Sequence, residues 1–240
     1  MDEVLLLVNA PNDTLSSDAI YRELRAHFSS WRGFKPYYVH QLGKLTQHAD
    51  DGARANDQLQ MRMGNLPELL LYLRDNQESV YKDIKEIFQV AVLPEGVGRF
   101  MINETESQVF ISLTGSRGSA QYWLADWPDG WKAFLSWLVA LRTAPPGAVI
   151  YLEEPENNLH PRLIAQILEQ VEIANERGVQ VFISTHSMEL VNMIEPNELI
   201  LMQDGQAYRL DPEKADKIRE AGILLGSAWT SDFLEAAKKE

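Results

Sequence analysis

Three carboxylates and one imidazole follow two apolar segments of the chain, at positions where they could act together. The apolar run "VIYL" leads directly into Glu153 and Glu154, with Glu156 two positions later, and the run "VFIST" leads into His186. Crowded carboxylates repel one another, and a bound cation would offset that cost. Side chains alternate along a strand, so Glu153 and Glu154 can take different roles. One could hold a divalent cation while the other polarises a water molecule.

A strand–helix–strand unit is predicted around these residues. "GAVIYLEE" and "VQVFISTH" are apolar strands, and the helix "PRLIAQILEQVEIANER" lies between them, with Gly178 suited to its C-terminal cap. One face of this helix is apolar: Leu163, Ile164, Ile167, Leu168, Val171 and Ala174. Fully apolar strands joined by a helix indicate a parallel βαβ unit. Ligands bind at the carboxyl ends of such strands, where the acidic group and the histidine lie.

The chain is predicted to be an α/β protein in three parts. Residues 1–64 form the N-terminal segment, which has the least regular pattern: "EVLLLV" is strand-like, and "SSDAIYRELRAHF" is predicted to be a helix capped by Ser17. Residues 65–142 hold two helices, the first with Asn65 as N-cap, then two or three antiparallel strands and a helix capped by Asp129. Residues 143–240 hold the strand–helix–strand unit and a hairpin over "ELILMQDGQAYRL".

Composition narrows the class of protein. The 240 residues are 45% hydrophobic, enough for one large domain or two small ones. A net charge of −13 argues against direct nucleic-acid binding, which needs clustered Lys and Arg. Cysteine is absent, which excludes disulfides and thiolate metal sites. No signal peptide or apolar run of about 18 residues is present, so we expect a cytoplasmic protein without membrane contact.

The motifs resemble those of ABC-type ATPases. "VIYLEEPE" is similar to a Walker B segment, "NNLHP" to the D-loop that follows it, and "VFISTHS" to the strand that carries the switch histidine. From about Trp127 to Pro196 the chain looks like the predicted ATPases related to the SMC, RecF and OLD families. The resemblance implies a P-loop NTPase-like fold, the head of an ABC ATPase. It would have a parallel sheet core, a helical subregion and a small antiparallel meander.

The resemblance also implies roles for the residues of the acidic strand end, with ATP and Mg²⁺ as cofactors. Glu153 matches the acid that binds Mg²⁺, directly or through water. Glu154 matches the catalytic glutamate that orients the attacking water, and His186 matches the switch histidine that touches the γ-phosphate. Asn158 falls in the D-loop-like stretch, which would reach across to a second subunit.

Two further motifs that contact nucleotide are implied. Asp129 and Gly130 hold two positions of the signature motif in "WPDGWKAFLSWL", where Pro128 replaces the serine of relatives. Gln41 in "YYVHQLG" is the candidate for the Q-loop glutamine.

One motif of such ATPases is absent from the sequence. A P-loop, G-x-x-x-x-G-K-S/T, holds phosphates with backbone amides and a lysine, and no segment here matches it. "TGSRGSAQ" lacks the spacing and the lysine and is predicted to be a hairpin turn. We therefore expect the C-terminal part of such an ATPase, whether truncated, split or degenerate. The chain would then form a homodimer or bind a partner chain that supplies the P-loop.

Three functions are open at this stage, and we expect the first. In the first, ATP binding and hydrolysis clamp a dimer and control an effector such as a nuclease, in DNA repair or defence, and the chain is inactive alone. In the second, the chain is a non-catalytic dimerisation or regulatory module derived from such an ATPase. In the third, the chain is a metal-dependent hydrolase that uses five residues directly: Glu153, Glu154, Glu156, His160 and His186.

Overall fold

The computed structural model describes residues 3–8, 32–34, 65–93, 98–103, 108–115, 118–157, 159–203 and 206–230. Nine strands lie in these residues: β1 (Glu3–Val8), β2 (Arg32–Phe34), β3 (Gly98–Asn103), β4 (Gln108–Gly115), β5 (Gly118–Trp123), β6 (Val149–Glu153), β7 (Gln180–Thr185), β8 (Leu199–Gln203) and β9 (Gln206–Arg209). Seven α-helices lie there too: α1 (Leu66–Asn76), α2 (Glu78–Val92), α3 (Asp129–Thr143), α4 (Pro161–Glu176), α5 (Met188–Val191), α6 (Pro212–Glu220) and α7 (Leu225–Thr230). No helix among them is long and apolar enough to cross a membrane.

The chain divides into two compact units. The sheet unit comprises the described residues within Met1–Gly33, Pro145–Glu156 and His160–Glu240. The helical unit comprises those within Phe34–Ala144 and Asn157–Leu159.

A six-stranded mixed sheet, in the order β2-β6-β7-β1-β8-β9, forms the centre of the sheet unit. Strands β6 and β7 are parallel, with Leu152 opposite Ile183, which confirms the predicted βαβ unit. We expected a parallel core, but β6 and β7 are the only parallel pair among the strand pairs whose register is described. Strand β1 runs antiparallel to both β7 and β8, and β9 runs antiparallel to β8. An all-apolar strand indicates burial on both faces, which a central strand of either direction satisfies.

Helix α4 joins the two parallel strands and forms where the sequence places it. The side chain of His160 caps its first turn, with Nδ1 accepting a hydrogen bond from the amide of Arg162 at 3.2 Å. Its apolar face is buried at five of the six predicted positions, with Leu168 half-buried: Leu163, Ile164, Ile167, Val171 and Ala174. Each larger aliphatic side chain among them contributes about 1.5–3 kcal/mol by leaving water. Gly178 ends the helix with φ +82°, a conformation that favours glycine.

The C-terminal part of the sheet unit contains the predicted hairpin and two short helices. Strands β8 and β9 pair antiparallel, with Gln203 opposite Gln206, which confirms the hairpin. Helix α7 packs closely on α5 at Gly226, where an added Cβ would lie 2.4 Å from the carbonyl oxygen of Met188. The amide of Gly226 also donates to Oδ1 of Asn192 at 2.7 Å.

The helical unit contains α1, α2, α3 and a three-stranded antiparallel sheet, β3-β4-β5. Its core contains an aromatic cluster in which the rings of Phe100, Trp127 and Phe134 surround Phe88, with centroids 5.3–6.2 Å from that ring. All four side chains are buried, so the cluster joins α2, β3 and α3. Burial of four aromatic rings makes this cluster a major source of stability for the unit.

Of the two N-caps predicted for this unit, one is confirmed and one is wrong. Asn65 holds the N-cap position of α1, although its side chain makes no capping hydrogen bond. Asp129 is the first residue of α3 rather than its cap, and Pro128 holds the cap position in an extended conformation. The Asp129 carboxylate instead accepts a bond from Nζ of Lys132 at 3.2 Å. A carboxylate in the first turn is still favourable, because it faces the positive end of the helix dipole.

Candidate functional site

The ends of β6 and β7 bring the acidic segment and the histidine together. Glu153 is the last residue of β6 and lies opposite Ser184 in β7. His186 directly follows β7, and its Nε2 lies 3.7 Å from Oε1 of Glu154. The parallel pairing of the two strands therefore places a carboxylate and an imidazole side by side at the carboxyl edge of the sheet.

The backbone of Glu154 is unusual. Its φ is +44°, in the left-handed region that costs an L-residue other than glycine roughly 1–2 kcal/mol. No other non-glycine residue among those described has a positive φ. The chain thus turns sharply after Glu153, so Glu153 and Glu154 are not simply alternating residues of one strand. Strain of this kind is found at functional sites and indicates that the surrounding structure holds the residue in place.

The pair of Glu154 and His186 is partly open to solvent. The side chain of His186 is 38% exposed and that of Glu154 is 28% exposed. At 3.7 Å the two atoms are farther apart than in a hydrogen bond, and water screens the pair, so it contributes at most about 1 kcal/mol to stability. Both side chains are therefore accessible to a ligand or a water molecule.

Glu156 binds the turn that carries His186. Its Oε1 accepts hydrogen bonds from the hydroxyl of Thr185 and, at 3.2 Å, from the main-chain amide of His186. The same hydroxyl oxygen of Thr185 accepts from the amide of Ser187 at 2.9 Å. The side chain of Ser187 then caps α5 by accepting from the amide of Leu190 at 3.2 Å. From the sequence, Glu156 was predicted only as a metal ligand, because contacts between segments about 30 residues apart have no periodic signal.

The seven residues predicted to form the site fall into three groups. Three lie together at the carboxyl ends of β6 and β7: Glu153, Glu154 and His186. Two lie in the first turn of α3, in the helical unit: Asp129 and Gly130. Two lie outside the described residues: Gln41 and Asn158.

The donor atoms at the strand ends fit a sparsely coordinated Mg²⁺ better than a metal bound by protein alone. Within the described residues, no group of three or more His, Asp or Glu is arranged to hold a metal ion. Mg²⁺ commonly takes one or two carboxylates and completes its shell with water and substrate phosphates. The half-buried carboxylate of Glu153 suits that mode. His160 caps α4, so the arrangement gives no support to a hydrolase site built from all five predicted ligands.

A phosphate-binding loop is not found in the described residues of the sheet unit. A phosphate-binding loop needs successive backbone amides and a lysine between a strand and a helix. No glycine-rich loop ending in lysine joins a strand to a helix in the described part of this unit. The strand ends therefore provide groups suited to a metal ion and a water molecule, but not a cradle for phosphates.

The fold and these motifs define an ATPase-like α/β domain. Residues 10–192 match the family model described as "AAA domain, putative AbiEii toxin, Type IV TA system", and the chain belongs to this family. This result confirms the nucleotide-binding ATPase class predicted from the motifs. ATPases of this kind generally use ATP with Mg²⁺.

One similar solved structure, from "Structural biochemistry of ATP-driven dimerization and DNA stimulated activation of SMC ATPases", is 17% identical in sequence. The match covers 63% of this chain and 94% of that chain, with a TM-score of 0.44. No curated protein matches this chain.

Proposed function

We propose that this chain supplies the Walker B and switch-histidine half of an ABC-type ATP site. The observation that carries the proposal is the 3.7 Å approach of His186 Nε2 to Glu154 Oε1, at the ends of two adjacent parallel strands. Membership of an AAA-domain family supports ATP as the nucleotide. The acidic cluster supports a divalent cation, which offsets the repulsion between its carboxylates.

Each residue at the strand ends has one role in this proposal. Glu153 holds Mg²⁺, which when bound neutralises charge on the phosphates. Glu154 accepts a hydrogen bond from water and orients it for attack. The partly exposed imidazole of His186 donates a hydrogen bond to the terminal phosphate. Positioning and charge neutralisation of this kind supply most of the catalysis in phosphoryl transfer.

The remaining phosphate contacts come from elsewhere in the assembly. We assign the P-loop contacts to a partner chain, because a second copy of this chain has the same sequence and no matching segment. The amides at the start of α3, at Asp129 and Gly130, are suited to an anion. Asn158 and Gln41 stay predicted nucleotide contacts. ATP binding would then clamp the dimer and hydrolysis would release it, controlling an effector such as a nuclease in DNA repair or defence.

A second candidate is a non-catalytic dimerisation or regulatory module. The observation that favours it is Pro128, which lies at the start of α3 and provides no hydroxyl where the signature motif that this segment resembles has serine. Such a module would form stable dimers without affinity for nucleotide.

The deciding experiment compares the unmodified chain with Glu154→Gln and Glu189→Gln. Glu189 is an exposed carboxylate on nearby α5 and provides the matched control. Calorimetry with Mg-ATP should give weak, saturable binding to all three proteins, because only half of the site is present. After addition of the partner chain that supplies the P-loop, turnover should fall about 100-fold or more in Glu154→Gln and should not change in the control. No saturable heat at millimolar nucleotide would contradict the proposal, and a stable dimer in that case would favour the non-catalytic module.

A further inference from the structure

The carboxylate of Glu156 connects the two turns that carry Glu154 and His186. It lies two residues after Glu154, and its Oε1 accepts from both the Thr185 hydroxyl and the His186 amide. A single oxygen therefore joins the turn after β6 to the turn after β7. Hydrogen bonds to an ionised acceptor are stronger than those between neutral groups, so this link is stiffer than an ordinary turn contact.

The contacts and burial of the Glu156 carboxylate indicate that it has a structural role. Its second oxygen, Oε2, is buried and has no hydrogen-bond partner among the described residues. Thr185 is buried, and its hydroxyl both donates to Glu156 and accepts from Ser187. A partly desolvated carboxylate is costly, and such a group persists where the geometry it imposes is needed.

We propose that Glu156 and Thr185 form a clasp that sets the distance between Glu154 and His186. Glu156 is a positioning residue in this inference, since it acts through the His186 amide and need not touch nucleotide or metal. The inference rests on the proposed function for its meaning in catalysis, but the clasp itself is a property of the chain without ligand. Loss of the Thr185 hydroxyl releases the turn, and His186 then moves away from Glu154.

The first test measures the clasp without nucleotide. In histidine-labelled protein, Glu154→Gln should shift the ring resonances of His186 in NMR spectra, because the two side chains are neighbours. The effect of Glu154→Gln on the His186 resonances should persist when it is combined with Thr185→Ser, which keeps the hydroxyl. It should vanish when Glu154→Gln is combined with Thr185→Val or with Glu156→Ala. Tyr151→Phe is the matched control, because it removes a hydroxyl that donates to Ser184 at 2.9 Å in the same strand pair but outside the clasp. That variant should leave the shift intact.

The second test measures turnover in the assembled ATPase. Thr185→Val should lower kcat about 10- to 100-fold with KM changed less than about 3-fold, since a misplacement near 1 Å can cost that much. Thr185→Ser should restore kcat to within about 3-fold of the unmodified chain. An undiminished shift in Thr185→Val, or no shift of His186 by Glu154→Gln in the unmodified protein, would overturn the clasp. If the NMR spectra behave as expected but neither the unmodified protein nor any variant hydrolyses ATP, the clasp is supported and the proposed function is refuted.

Discussion

The main-chain amide of Glu154 donates to the carbonyl of Ser184 at 2.9 Å, although Glu154 lies beyond the end of β6 and has a φ of +44°. The hydrogen-bond ladder between β6 and β7 is thus extended by one residue through a backbone conformation that glutamate disfavours. Stability gained from the ladder offsets the local strain. The turn holds the Glu154 side chain beside His186, and the strain is a cost of that placement.

Replacing Glu154 should separate the effect of strain from the effect of charge. Asn and Gln both remove the charge, but Asn adopts the left-handed conformation more readily. We expect Glu154→Asn to be more stable than Glu154→Gln by roughly 0.5–1 kcal/mol. Urea unfolding of the two variants measures the difference. Equal stability of the two would show that the positive φ carries no strain in solution.

Helix α7 should not tolerate a methyl group at Gly226. An added Cβ would lie 2.4 Å from the Met188 carbonyl oxygen and 2.9 Å from Oδ1 of Asn192, so α5 and α7 would have to move apart. We expect Gly226→Ala to reduce the free energy of unfolding by about 1–3 kcal/mol, despite the better helix propensity of alanine. Lys217→Ala, at an exposed position of the preceding helix α6, should change stability by less than about 0.5 kcal/mol. The midpoint of urea unfolding reports both, and equal midpoints would contradict the close packing.

Local signals in the sequence were enough to predict the βαβ unit. The apolar face of α4, its end at Gly178 and the apolar run of β7 all depend on neighbours within a few turns. They also placed Glu153, Glu154 and His186 at one sheet edge, because parallel strands end on the same side.

Long-range contacts could not be predicted in the same way. The antiparallel placement of β1 between β7 and β8 joins segments far apart in the chain, and a strand's hydrophobic pattern does not encode its direction. The bond from Thr185 to Glu156 spans 29 residues and has no periodic signature. The cap of α3 was misplaced by one residue because Asp129 suits both the cap and the first turn of a helix.

The aromatic cluster of the helical unit should be sensitive to the loss of Phe88. This ring is fully buried and contacts Phe100, Trp127 and Phe134. We expect Phe88→Ala to cost about 3–5 kcal/mol, because the surrounding rings cannot close the cavity. Val90→Ala in the same helix is the control, since Val90 is 76% exposed and should cost less than about 0.5 kcal/mol. Thermal unfolding followed by near-ultraviolet circular dichroism distinguishes the two, and a loss below about 1 kcal/mol for Phe88→Ala would argue against a packed cluster.

Glu68 should make the helical unit less stable as pH rises. Burial of this half-buried side chain raises its pKa above the ordinary value, so the folded state holds the proton more tightly than the unfolded chain does. Its favourable contribution is fully present below the unfolded pKa and is lost as pH rises through the folded pKa. Glu68→Gln should therefore remove this loss and stabilise the unit at neutral pH relative to the unmodified chain.

Glu78 provides a control for that measurement, because its pKa is shifted in the opposite direction from that of Glu68. A hydrogen bond and the charge of Lys82 lower the pKa of Glu78, so its contribution is present above the unfolded pKa and is lost as pH falls through the folded pKa. The melting temperature of Glu68→Gln minus that of the unmodified chain should thus increase from pH 4 to pH 7. For Glu78→Gln the same difference should decrease only slightly, because its ion pair with Lys82 is exposed and screened by water. A difference for Glu68→Gln that does not vary with pH would show that its carboxyl is solvated in the folded protein.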